Sequence, residues 1–313
     1  MAYNFGNLAV YTEQQSLPLI TKSLFSSKSA TILTPMVGIK SSKALNLMNT
    51  DAVFQNGDDC GWSPSGTTTF SNRVLDVGRI KVHEPLCPKK LEEYWMQTQL
   101  LAGSNPEQIP FEAQYAELKV GKIAEQIENA IWQGDTASGN AALNRFDGFN
   151  KLITAAVADT IVGNTGGVTV ATGITTGNAF AIVQAVYTAI PTTILDKPDL
   201  VIVLGWDTFR KLVANLTALN LFSYAPVVDG VQGEITLPGT NVKIMALNGL
   251  NGTNRIFAFR LSNMFWGVDL LNEEDRFEIF YAKEAMEVRF IAEFKAGVQF
   301  AYADEIVNFI LTP

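Results

Sequence analysis

The chain has a single histidine and two cysteines in 313 residues, and that scarcity removes much of enzyme chemistry at the outset. His83 lies on the polar side of an alternating segment and reads as an ordinary exposed histidine. A Cys–His nucleophile pair would need a base aimed at a thiolate, and Cys87, four residues on, is flanked by prolines. Cys60 and Cys87 form neither a disulfide framework nor a zinc-ligand spacing. Charge is scarce too: 17% of residues are charged, against about a quarter in ordinary domains. No Lys/Arg run exceeds a pair, and the net charge is −8, which argues against a dedicated nucleic-acid binder. No apolar run approaches membrane-spanning length; the richest, such as Leu200 to Leu204, are strand-sized. Met1 to Val10 lacks a basic segment followed by an apolar one, so a soluble chain made in the cytoplasm is expected.

What the chain does have is apolar material: 47% of its residues are hydrophobic. That length and composition suit two lobes with a sizeable core, or a surface largely covered by partners, since interface centres are depleted of charge. From Met1 to about Asn49 the sequence is rich in Ser and Thr with no sustained period, the pattern of an extended arm. Turn residues cluster at Asn56 to Asp59 and Ser63 to Gly66, and the surroundings read as a long projecting hairpin over Cys60 to Glu84. A hairpin of that length is marginal alone and needs a neighbour to lie on. Pro106 to Trp132 carries apolar residues at helical spacing, with Gly121 as a weak point. Further helices are expected over Phe146–Ile153, Asn178–Ile190 and Trp206–Leu216, with a Gly/Thr-rich loop over Gly163–Gly177. Asp199 to Leu204 reads as a strand covered on both faces. Strands also follow at Asn241–Leu247, Arg255–Arg260, Phe277–Lys283 and Glu305–Leu311. Met286 to Lys295 alternates most cleanly, ending in a turn near Ala296-Gly297. The mixture is α+β.

Each candidate for chemistry has a simpler structural meaning. Glu273-Glu274-Asp275 reads as a solvated turn. Gly163 to Gly167 lacks the Lys-Ser/Thr of a phosphate loop, and Gly121-Lys122-Ile123 lacks both the upstream glycine and the hydroxyl. Asp207, just after the covered strand, reads as a capping or first-turn acid. No catalytic, cofactor-binding or metal-binding residue stands out, and the chain is expected not to be an enzyme. A carboxylate-based hydrolase is the reading from a different class, since two acids suffice for such chemistry.

Glu128 to Asp135 (ENAIWQGD), followed by Phe146-Asp147-Gly148-Phe149, resembles the exit of the long helix in major capsid proteins of tailed bacteriophages. The apolar strand Asp199–Leu204 before a helix bearing Phe209 resembles the same family's axial domain. Leu237-Pro238-Gly239-Thr240, Asn263 to Gly267 ahead of an acidic turn, and the strand from Met286 with the Gly297 corner are similar as well. The segments are short, but they occur in the family's order over about residues 50–313.

The resemblance implies the Hong Kong 97-type fold: an N-terminal arm (1–50), an extended loop (51–86), a peripheral domain with a long spine helix (87–135 and 255–313) and an axial domain (136–254). It implies a major capsid protein that joins as hexamers and pentamers into an icosahedral shell around phage DNA, which it encloses without reading sequence. Scaffolding and portal proteins, and in some systems decoration proteins, are the implied partners. The implied location is the virion capsid, built in the host bacterial cytoplasm, with no membrane and no cofactor. Leu17 and Leu24 on the arm, and Phe70, Ile80 and Val82 on the loop, are the candidate contacts between subunits. Some members of the family cross-link neighbours through a Lys–Asn bond; Lys81 lies in the corresponding region, but no motif supplies its partner. An encapsulin-type nanocompartment, which shares the fold, is the alternative reading.

Overall fold

The computed structural model describes residues 27–57, 61, 65–86, 111–164, 166–221, 233–269 and 277–312. Its longest helix is α2 (Phe111–Gln133), 23 residues or about 35 Å. It follows a short α1 (Lys28–Ile32) in chain order. Val120, Ile123, Ile127, Ala130 and Ile131 recur at helical spacing on α2 and are buried, while Glu117, Lys122 and Glu125 stay in solvent.

Two sheets meet on this helix. The first is organised by β12 (Glu287–Phe300), a strand of 14 residues. Along one edge β4 (Gly78–Leu86) pairs with residues 288–296. Along the other edge lie β11 (Phe277–Ala282) and then β10 (Met264–Val268), the latter carrying β1 (Thr34–Val37) as a parallel outer strand. Val288, Phe290, Ala292, Phe294, Ala296, Val298 and Phe300 all enter the same core, so the period of two runs unbroken through Gly297. The expected turn at Ala296-Gly297 is therefore a correction. Gly297 pairs with Gly267, and a Cβ there would run into the Asp76 carbonyl; the glycine permits close backbone approach in mid-strand.

The second sheet has six strands in the order β5 (Ile161–Val162), β13 (Val307–Phe309), β9 (Ile256–Arg260), β6 (Leu200–Gly205), β8 (Lys243–Leu247), β7 (Glu234–Thr236). It separates two cores. Val201, Val203, Met245, Leu247, Phe257 and Phe259 face the core shared with α2 and β12. Leu200, Ile202, Leu204, Ile244, Ala246, Ile256 and Ala258 face the core under α4 (Ala179–Thr188) and α5 (Trp206–Ala218). Coverage on both faces explains why β6 reads as an uninterrupted apolar run. Because β9 and β13 hydrogen-bond within this sheet, a peripheral segment of 255–313 does not follow the sheets.

The projecting hairpin also lies elsewhere than expected. Its strands are β2 (Ser42–Thr50) and β3 (Thr68–Asp76), not a pair within Cys60–Glu84. Residues 42–50 thus belong to the hairpin rather than to an arm, and β4 belongs to the first sheet.

Candidate assembly interface

The hairpin has two faces that differ in what they touch. Strict alternation places Leu45, Leu47, Arg73 and Leu75 on one of them. Leu75 is wholly buried, and Gly267 leaves the space that its side chain fills. The Arg73 guanidinium lies 4.4 Å from the Phe300 ring centroid, and Gln299 Nε2 donates to the Val74 carbonyl at 2.7 Å. These contacts fix the root of the hairpin on the end of β12.

The opposite face carries Ala44, Met48, Phe70 and Val74 with Asn46 and Asn72 between them, and all six are exposed. Met48 stands directly across from Phe70, and the two are 56% and 78% exposed. Phe54, in the connection at the tip, is completely exposed. An apolar cross-strand pair in water gains little; against another surface it would bury most of two large side chains.

The anchors around this hairpin join distant parts of the chain. Ser29, at the start of α1, donates from its backbone to Glu128 Oε2 at 2.9 Å and from Oγ to Oε1 at 2.6 Å. Trp132 Nε1 donates to the same Ser29 Oγ at 2.7 Å. All three residues are buried, so the Glu128 carboxylate is held by donors from a segment 99 positions away. Lys28 pairs with Glu234 of β7 at 3.2 Å, and β1 joins β10. The segment 27–37 thus straps α2 to both sheets. Trp132 in turn stacks on Phe257 at 5.7 Å and packs on Phe149 at 5.3 Å.

Where α2 ends, the chain doubles back on itself. Gly148 N donates to the Gly134 carbonyl at 2.9 Å, Asp135 N donates to the Leu143 carbonyl at 2.8 Å, and Thr136 N donates to Asp147 Oδ1 at 2.8 Å. The two short motifs at 134–135 and 146–149 are therefore halves of one corner. Lys151 closes it, 2.7 Å from Asp135 and 2.8 Å from Asp147. Hydrogen bonds from Lys151 and the Ala137 N–H hold the Asp135 carboxyl below the usual carboxylate range. Burial pushes Asp147 up, but hydrogen bonds from Lys151 and Thr136 outweigh it and hold the carboxyl low.

Of the expected contact residues, Phe70 lies on the open hairpin face, whereas Ile80 and Val82 are half-buried on β4 and pack against the core of the first sheet. Leu17 and Leu24 lie outside the described residues, as do Cys60, Cys87 and Glu273 to Asp275. His83 is exposed and sits 3.2 Å from Glu293. Asp207 occupies the first turn of α5 and accepts from Gly252 N at 3.2 Å. Among the described residues no group of three or more His, Cys, Asp or Glu side chains could hold a metal ion, and no helix is long and apolar enough to cross a membrane.

No family model matches the chain, and no curated protein matches it by sequence. Solved structures do match by shape. A chain of the satellite phage P4 procapsid, a structure that includes the size determination (Sid) protein, superposes with a TM-score of 0.62 at 12% identity, covering 95% of this chain and 91% of that one. The capsid of an empty GTA particle gives 0.56 at 10% identity over 93% and 90%. Microbacterium phage Oxtober96 gives 0.53 at 15% over 92% and 91%. The fold is the Hong Kong 97-type capsid fold. In its terms α2 is the spine helix and the β2–β3 hairpin stands where the extended loop was expected, displaced toward the N-terminus. Met48, the Ser29–Glu128–Trp132 cluster and the 27–37 strap escaped the sequence reading. Their only local trace was Glu128, about one turn before the Trp132-Gln133-Gly134-Asp135 helix end.

Proposed function

We propose that this chain is the major capsid protein of a tailed phage, a non-enzymatic subunit that closes as hexamers and pentamers into an icosahedral shell around DNA. The observation that carries the reading is the open hairpin face: Phe70 and Met48, opposed and largely exposed, on an element rooted in a fold shared with capsids over more than nine-tenths of the chain. Burying a Phe side chain is worth roughly 1.5–3 kcal/mol. One such contact is weak, but each subunit already joined raises the effective concentration of the next, so modest contacts sum around a closed shell.

In this reading 42–76 forms the extended loop. The first sheet with α2 forms the peripheral domain, and the six-stranded sheet with α4 and α5 forms the axial domain. The N-terminal residues, Leu17 and Leu24 among them, contact neighbouring subunits, while Ile80 and Val82 serve the subunit's own core. Scaffolding and portal proteins direct closure in the host cytoplasm, and decoration proteins are compatible with the outer surface. The net charge of −8 suits an inner wall that encloses DNA without gripping it. The structures matched above are virus-like capsids, which favours a phage shell over a cargo compartment.

The test is Phe70→Asp in a co-expression system that yields particles. Shell yield should fall at least about tenfold while the unassembled subunit unfolds at the wild-type denaturant midpoint, because an exposed position changes folding stability by only about 0.5 kcal/mol. Normal particle yield from the variant would remove the hairpin face from the assembly interface.

A further inference from the structure

A groove of about 620 Å³ opens beside the corner where the spine helix ends, lined by Gln133, Asp135, Asn150, Lys151, Thr154 and Arg255 among others. Its charges are unequally served. Lys151 is met by Asp135 and Asp147. Arg255 is half-buried, and its guanidinium Nη1 donates to Thr154 Oγ1 at 2.8 Å and to the Asn150 carbonyl at 3.5 Å. Both partners are neutral, and no carboxylate of the described residues lies within ion-pair distance of this arginine. A half-buried guanidinium with only neutral acceptors keeps its desolvation cost without the charge partner that ordinarily offsets it. The same burial lowers its proton affinity. The side chain lines the groove, and its planar fork suits a carboxylate or phosphate.

Resting on the shell reading above, we infer that Arg255 receives an Asp or Glu carboxylate from a second copy of this chain, so that the groove is a polar joint between subunits. A second copy is the occupant that charge favours: the chain has 31 acidic against 23 basic side chains, so its neighbours present mostly carboxylates. A nucleic-acid track would need a row of cations, whereas the groove's other cation, Lys151, is already met by Asp135 and Asp147, and the chain's net charge is −8. The joint is specific because Thr154, itself bonded to the Asn150 carbonyl, fixes one arm of the fork and leaves the other arm to the incoming acid.

Particle assembly of wild type, Arg255→Gln and Arg255→Lys, followed by sedimentation across a sodium chloride series, tests this together with a reconstruction of the wild-type particle. Expected are a neighbour's carboxylate on the Arg255 guanidinium, a critical subunit concentration raised about tenfold in Arg255→Gln, a smaller rise in Arg255→Lys, and a weaker salt dependence in the Gln variant. Unfolding of the unassembled variants near the wild-type midpoint assigns the loss to assembly. If Arg255→Gln does not fold, the reconstruction decides alone. Particles whose groove faces solvent, or whose Arg255 touches DNA phosphate, overturn the joint and leave the shell reading standing. Absence of any wild-type particle overturns both.

Discussion

Replacing Ser29 by alanine removes one oxygen that serves two buried groups. In the native subunit Ser29 Oγ donates to Glu128 at 2.6 Å and accepts from the Trp132 indole at 2.7 Å. Glu128 is 4% exposed and Trp132 is not exposed at all, so neither can turn to water when that oxygen is gone. A hydrogen bond to a charged acceptor is worth about 1.5–3 kcal/mol, and a buried donor left unpaired costs about 1–3 kcal/mol. The two losses share one atom and are not fully additive, and the Ser29 N–H still reaches Glu128 at 2.9 Å. Ser29→Ala should therefore cost about 3 kcal/mol, read as a lowered urea midpoint of the unassembled subunit with an unchanged slope. Ser27→Ala is the control: its Oγ only caps α1 by accepting from Ala30 N at 3.1 Å, a loss worth about 1 kcal/mol. A Ser29→Ala subunit within about 0.5 kcal/mol of wild type, the range of an ordinary surface change, would refute the claim that this strap is held by a buried carboxylate.

Two further predictions test the frame of the subunit. Gly121 sits on the solvent face of the spine helix, and a Cβ there would meet nothing within 4 Å; Gly121→Ala should raise subunit stability by about 1 kcal/mol by helix propensity, measured by chemical denaturation. Burial pushes the Asp199 carboxyl up, but hydrogen bonds from Ser262 and Arg260 outweigh it and hold its pKa below normal. A depressed carboxylate stabilises the fold above its unfolded pKa and loses that contribution as pH falls through the folded value. Wild-type melting temperature should therefore drop more steeply than that of Asp199→Asn below about pH 4, and parallel curves would contradict the assignment.

Elements whose partners lie on both sides, or whose period is strong, were legible in the sequence. β6 announced its burial by five consecutive apolar residues, and β12 by alternation from Val288 to Phe294. The spine helix showed in its apolar spacing. What stayed hidden depends on distant partners. β1 is four residues long and pairs Thr34 with Phe265, so nothing near it in the chain marks it as a strand. The hairpin carries Asn46, Asn49 and Asn72 within its strands, residues 51–67 join them in place of a two-residue turn, and its outward face mixes apolar and amide side chains, which blurs the alternation. Gly297 misled for a physical reason: a glycine that permits close backbone approach looks, in sequence, like a glycine that permits a turn. Phe70 is a candidate already in the sequence, but Met48, which the structure places opposite it on the open face, is not, because the segments that the register joins are not the ones the sequence pattern pairs.

The central claim is that the chain closes into a shell, and electron microscopy of particles from co-expression with a scaffolding protein tests it most directly. The account predicts closed shells built of five- and six-fold clusters, with the β2–β3 hairpin of each subunit lying on a neighbour through Phe70 and Met48. It also predicts that the purified chain alone closes inefficiently. A stable monomer under the same conditions, or hairpins that project into solvent in an assembled particle, would contradict it.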